Sequence, residues 1–170
     1  MAKTIVFFGA KGGLGKTLLA GNLAVALSRD QSKRTCLIDM DVQVAGDMAR
    51  MLDLHPANAM VDLIDAMEKQ PRNVKKEDFL FKSPTGISFL PAVLSPQEVA
   101  HLKLAKIQDV FGLLDKDFDF IVVDAGQAFN DVFVACLDQA NLIVMVVVPD
   151  VLSIYQTKWA WICCRPCIFL

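Results

Sequence analysis

One turn, Ala10-Lys11-Gly12-Gly13-Leu14-Gly15-Lys16-Thr17, constrains this chain more than any other stretch. It follows the apolar run Thr4-Ile5-Val6-Phe7-Phe8 and opens a helical pattern with Leu19, Leu23, Ala26 and Leu27 on one face. Strand, glycine-rich turn and helix in that order form the context of a phosphate-binding loop. Glycines let successive backbone N–H groups converge on phosphate oxygens, and the helix start adds its positive dipole end. Lys16 is then placed to reach the β- and γ-phosphates of a nucleotide, and the Thr17 hydroxyl to bind Mg²⁺. Ala10 stands where the general pattern has its first glycine.

The rest of the chain alternates strand and helix. Expected strands are Ile5–Phe8, Thr35–Asp39, Ile87–Leu90, Phe120–Asp124 and Leu142–Val148. Expected helices follow the glycine turn and cover Gly46–Asp53, Val61–Lys69, Lys103–Leu114 and Val151–Trp161, with an irregular insertion at Pro71–Pro84. This predicts an α/β fold with a doubly wound, mostly parallel sheet flanked by helices. Such strands are buried on both faces, which accounts for a hydrophobic content of 54% in 170 residues. The longest apolar run, Leu142 to Val148, is too short to span a bilayer. No basic-then-apolar signal opens the chain, so the expected location is cytoplasmic. A net charge of −2 gives no general drive toward nucleic acid.

Two acidic strand ends complete the expected site. The second strand ends in Asp39-Met40-Asp41 and the fourth in Asp124-Ala125-Gly126. Ligands of such sheets bind beyond the carboxyl ends of the strands, so the three carboxylates are expected to face the phosphate loop. Asp124, after Ile-Val-Val, reads as an acid that holds Mg²⁺, with a helix cap or turn aspartate as the plain alternative. The Asp-x-Asp pair alone is as compatible with a solvated turn.

Lys-Gly-Gly-x-Gly-Lys-Thr resembles the deviant Walker A motif of the ParA/MinD family. The resemblance implies an ATP-sandwich homodimer in which Lys11 reaches the phosphates held by the other subunit. It also implies that Lys11, Gly12, Gly13, Leu14, Gly15, Lys16, Thr17, Leu18 and Gly126 contact ATP. Asp39 and Asp41 look like the switch I pair of that family, and Asp124 with Gly126 like switch II. By that resemblance Asp41 positions or activates the attacking water, Asp39 supports the metal, and Lys11 and Lys16 stabilise phosphate charge.

The match narrows toward the CpaE/TadZ branch through Asp41-Val-Gln-Val-Ala-Gly46-Asp47, Leu52-Asp53-Leu54, Val61-Asp62-Leu63, Leu90-Pro91-Ala92 and Ser95-Pro96-Gln97-Glu98. Phe118-Asp119-Phe120 through Asp124, and Pro149-Asp150 before Ser153, continue it. Members of that branch help assemble type IV (Flp/Tad) pili or secretion machinery, which implies pilus or secretion proteins as partners. The receiver-like domain common there is missing from this chain. A catalytically weak or inactive nucleotide-binding scaffold, a ParA-like DNA-partitioning protein and a MinD-like division-positioning protein are the competing functions. An oxidoreductase lacks its G-x-G-x-x-G, a tyrosine kinase of this superfamily lacks its tyrosine-rich terminus, and an iron–sulfur reductase has only Cys136 as a candidate ligand.

The ATPase domain is expected to span residues 1–161. Residues 162–170, Ile-Cys-Cys-Arg-Pro-Cys-Ile-Phe-Leu, depart in composition from everything before them. Cys164-x-x-Cys167 has no second ligand pair, so the segment reads as a truncation or reading-frame scar, with Pro166 interrupting any helix. Cys36 and Cys136 read as buried free thiols.

Overall fold

The computed structural model describes residues 1–71 and 73–168, with side chains described through Cys163 apart from position 72. Its centre is a six-stranded sheet in the order β3-β4-β2-β5-β1-β6. The strands are β1 (Lys3–Phe8), β2 (Thr35–Asp39), β3 (Phe81–Lys82), β4 (Ser88–Pro91), β5 (Phe120–Asp124) and β6 (Leu142–Met145). All neighbours run parallel except β3 against β4. The helices are α1 (Lys16–Arg29), α2 (Asp47–Met51), α3 (Met60–Lys69), α4 (Ile107–Leu114), α5 (Asp131–Leu137) and α6 (Val151–Ile168).

Strand alternation divides the core into two layers. Ile5, Phe7, Leu37, Phe89 and Val122 turn to one face, where Ala20 and Ala24 of α1 and Met48 and Ala49 of α2 cover them. Val6, Phe8, Ile38, Leu90, Ile121 and Val123 turn to the other, beneath α3, α4 and α5. β2 is buried along its whole length, which is why it reads as an uninterrupted apolar run. Cys36 and Cys136 are buried thiols, as expected, and burial pushes both thiol pKa values up, that of Cys136 to about 12.

Several elements differ from the sequence reading. α5 was not among the expected helices, and the helix expected over Lys103–Leu114 is α-helical only from Ile107, after a 3₁₀ turn at Leu104–Lys106. The stretch expected to be irregular carries a short 3₁₀ turn at Lys76–Asp78 and the antiparallel edge strand β3. The last strand stops at Met145 rather than Val148. Its partner β1 ends at Phe8, and the Val146 N–H donates the final bond to the Phe8 carbonyl at 2.7 Å. Finally, α6 runs through Pro166 to Ile168, past the expected end at Trp161. Proline costs one helical hydrogen bond, but its fixed φ near −65° is itself helical. The side chains of Cys164 and Cys167, and residues 169–170, lie outside the described residues.

The outer side of the sheet at β6 is thinly covered. Among the described side chains of α6, Ser153 and Ala160 are buried, while Val151, Leu152, Ile154, Tyr155, Trp159, Trp161 and Ile162 are exposed. Among the described residues no helix is long and apolar enough to cross a membrane.

Because Phe89 is fully buried in the layer beneath α1, Phe89→Ala should lower the free energy of unfolding by about 3–5 kcal/mol, read from chemical denaturation.

Candidate functional site

Parity along the strands puts two acids on one face. Asp39 follows Leu37 at the same parity in β2, and Asp124 follows Val122 in β5, so both carboxylates turn to the side of α1. The strands pair in register with Asp39 opposite Asp124. The glycine loop leaves β1 beside them. Gly13 and Gly15 take positive φ values of 73° and 83°, the left-handed region that glycine adopts freely, and Gly15 caps the start of α1. α1 therefore begins at Lys16 directly above the carboxyl ends of β2 and β5.

The result is a cleft of about 160 Å³ lined by Gly12, Gly13, Lys16, Thr17, Asp39, Asp41, Val44, Asp47, Met48 and Gln127. Larger clefts lie elsewhere. One of about 670 Å³ opens at the opposite end of β2 and β4, but its Arg34 and Lys76 are paired with Asp119 and Asp117. The small cleft gathers a buried lysine, a threonine hydroxyl and three acids. Lys16 is buried and its ammonium donates to the Lys11 carbonyl at 3.2 Å. Lys11 turns away from the cleft and pairs with Asp150 at 3.4 Å, with both side chains about 40% exposed. Asp150 also accepts the Ser153 N–H at 2.9 Å, near the start of α6.

The acids are held in different states. Burial, reinforced by the neighbouring Asp124 charge, pushes the Asp39 carboxyl up to about 8, although its Oδ1 accepts the Asp41 N–H at 3.1 Å. Burial also raises Asp124, opposed by the nearby Thr17 hydroxyl and by the Gly126 N–H, which donates to its Oδ1 at 3.3 Å. Asp124 is fully buried, and its Oδ2 has no hydrogen-bond partner. A buried carboxylate oxygen left unsatisfied is costly unless a cation or donor completes it. The donor set of carboxylate oxygens beside a threonine hydroxyl is of the hard-oxygen kind that suits Mg²⁺, so these residues fit that ion.

Gly126 sets how closely the two acidic loops approach. Its φ is +69°, and a Cβ there would stand 2.7 Å from Asp41 Cγ. Of the residues picked out from sequence, the structure gathers Gly12, Gly13, Lys16, Thr17, Asp39 and Asp41 around the cleft, with Asp124 buried behind Thr17 and Gly126 behind Asp41. Leu18 instead lies 56% exposed on α1, Leu14 packs with the apolar layer beneath it, and Gly15 and Lys11 do not line the cleft. Gln127 was not singled out, and Asp47 and Asp150 stood in the family-like segments without being named as site residues. Gln127 directly follows the Asp-x-Gly segment, but no local pattern marks it, and Asp150 lies 139 residues from the lysine it pairs with.

A family model described as an AAA domain matches residues 2–158. The antiactivator FleN of Pseudomonas aeruginosa is 30% identical over 155 residues, covering 89% of this chain and 52% of that protein. The septum site-determining protein MinD of Helicobacter pylori is 30% identical over 156 residues, covering 91% of this chain and 56% of its own length. The chain belongs to the ParA/MinD-type P-loop ATPase family. It spans about half the length of these curated relatives. Its fold matches that of a MinD from Pyrococcus horikoshii solved with Mg-ADP, at a TM-score of 0.79 and 20% identity over 98% of this chain and 66% of that one. Membership agrees with the expected doubly wound sheet. The CpaE/TadZ branch is a finer assignment than these relatives carry.

Two predictions follow from the site's electrostatics and packing. The Asp39 carboxyl is neutral in the fold up to about pH 8 but ionises near 3.8 in the unfolded chain. Its contribution to stability is therefore present below about pH 4 and lost as pH rises toward 8. Asp39→Asn should remove that loss, so the Tm of the variant relative to the unmodified chain, without metal or nucleotide, should climb between pH 5 and pH 8. Gly126→Ala should destabilise the fold by about 1–3 kcal/mol in thermal unfolding, because a side chain there is strained at positive φ and collides with Asp41.

Proposed function

We propose that this chain is a Mg²⁺-dependent ATP-binding switch domain that hydrolyses ATP slowly and acts as an ATP-sandwich homodimer. The observation that carries this reading is the in-register pair of buried carboxylates, Asp39 and Asp124, beneath the glycine loop, with one Asp124 oxygen unsatisfied. Thr17, Asp124 and Asp39 would hold Mg²⁺, which when bound supplies positive charge against the phosphates. Glycine-loop N–H groups and Lys16 bind the phosphates common to ATP and ADP. The Lys16 ammonium exchanges the Lys11 carbonyl for phosphate oxygen. Asp41, at the mouth of the cleft, orients the attacking water and draws on its proton. Lys11, once released from Asp150, is free to reach across a dimer interface to the partner's phosphates.

The narrower reading is a role in positioning or assembling type IV (Flp/Tad) pilus or secretion machinery, supported by the CpaE/TadZ-like segments from Asp41 to Ser153. A MinD- or ParA-like positioning role is favoured comparably by the relatives, which include an antiactivator and septum site-determining proteins. Loss of surface pili in cells carrying Lys16→Ala, with division sites unchanged, supports the first; misplaced septa with normal pili support the second. A gel shift with ATP at physiological salt tests DNA partitioning.

Lys16→Ala should abolish binding of a labelled ATP analogue, and unchanged binding would exclude the nucleotide site. Asp41→Ala should slow phosphate release by about 100-fold or more while leaving nucleotide binding within a few fold. Equal phosphate release by both chains at a rate no faster than buffer would instead mark a nucleotide-binding scaffold. Lys11→Ala should reduce hydrolysis more than binding, and light scattering with ATP should report dimers for Asp41→Ala and not for the double variant.

A further inference from the structure

We propose that Gln127 is the residue that distinguishes a nucleoside triphosphate from a diphosphate in this cleft. The inference rests on the nucleotide-binding reading above and goes beyond it by naming how the third phosphate is sensed. Gln127 lines the cleft together with Lys16, Thr17, Asp39 and Asp41. Its side chain lies directly against the phosphate loop: a Cβ on Gly12 would stand 2.6 Å from Gln127 Oε1 and 3.7 Å from Nε2. Absence of a side chain at Gly12 is therefore what allows this amide to reach the loop.

The charge pattern of the cleft leaves a task for such a group. The loop side offers glycine N–H groups and Thr17 to the phosphates that ATP and ADP share, with Lys16 alone reaching on toward the third. The rest of the polar lining includes Asp41 and Asp47, carboxylates that accept hydrogen bonds but give none to a further phosphate. Two backbone donors there are already engaged: the Gly126 N–H on Asp124 Oδ1 at 3.3 Å and the Asp41 N–H on Asp39 Oδ1 at 3.1 Å. Gln127 is the one amide side chain in the lining, and its NH₂ donates without carrying or exchanging a proton. A glutamine on the loop after the metal-side acid is also a chemically suitable partner for a terminal phosphate and its water.

The amide is held in place from both sides. Upstream, Gly126 is buried and wedged against Asp41. Downstream, the Phe129 ring sits edge-on to Phe8 and Phe133, with centroids 5.1 and 5.2 Å away. Asn130 then caps α5, its Oδ1 accepting the Phe133 N–H at 2.9 Å. Only Gln127 and Ala128 lie between these anchors, so the side chain is presented to the cleft with little freedom to lose on binding.

The test measures affinity for Mg-ADP and for a non-hydrolysable Mg-ATP analogue by titration calorimetry, for the unmodified chain, Gln127→Ala and Gln127→Glu. The expected result is ADP affinity within twofold in all three chains. Triphosphate affinity should fall about tenfold in Gln127→Ala and further in Gln127→Glu, which keeps the shape but replaces a donor with an anion. Parallel loss of both affinities would assign Gln127 a merely structural part in shaping the loop, and no change in either would remove it from the site; each overturns the proposal. An unmodified chain that binds neither nucleotide overturns the site reading itself, and with it this one. Because Gln127 is only partly buried and lines a cleft open to water, both variants should retain the parent circular dichroism spectrum and Tm.

Discussion

Two carboxylates lie side by side in the interior, at the ends of β2 and β5, and much of the local structure is arranged around that fact. Bringing Asp39 and Asp124 together away from water is unfavourable unless something compensates. The partial compensations are visible: the Asp41 N–H on Asp39, the Gly126 N–H on Asp124, and the Thr17 hydroxyl at the base of α1. The remainder is left as a raised Asp39 pKa and an unsatisfied Asp124 oxygen. A site that is incomplete in its own right has a strong preference for what it binds, and the preference is for positive charge.

The sheet supplies the rigidity that makes such a pair possible. β2 and β5 are central strands with helices over both faces, so neither acid can swing out to solvent without disturbing the packing of Leu37, Ile38, Val122 and Val123. The glycine loop works by the opposite means. It has almost no side chains of its own in the cleft, and its shape comes from backbone turns at Gly13 and Gly15. A stiff acidic floor and a pliant loop above it are what phosphate chemistry needs, since the metal side must be fixed while the anion side adapts.

How much of this was legible in the residues follows from where the signals are local. β1, β2 and β5 were readable because strands buried on both faces carry apolar cores, and the acids ending β2 and β5 stood out against those runs. The glycine turn was readable because strand, turn and helix are contiguous. β3 was not, being two residues of an antiparallel edge in a polar stretch. The end of α6 was misplaced because proline was given more power to stop a helix than the backbone shows. Of the site, Gln127 and the Lys11–Asp150 pair escaped notice. The first has no motif of its own, and the second joins residues that only the fold brings together.

That ion pair alters what nucleotide binding means for the molecule. Lys16 and Lys11 are both engaged in the resting fold, one on a carbonyl of the loop and the other on the first turn of α6. On the proposed reading, a phosphate chain entering the cleft takes Lys16 from its loop carbonyl, and the phosphates of a second subunit draw Lys11 from its partner. The released partner in the second case is Asp150, at the head of the helix that bears the exposed aromatic and aliphatic side chains. An exposed pair of this kind is worth about 0–1 kcal/mol, so the exchange is nearly balanced and readily reversed. Under that proposal, release of Lys11 loosens an anchor at the head of a helix whose described side chains include many exposed apolar ones.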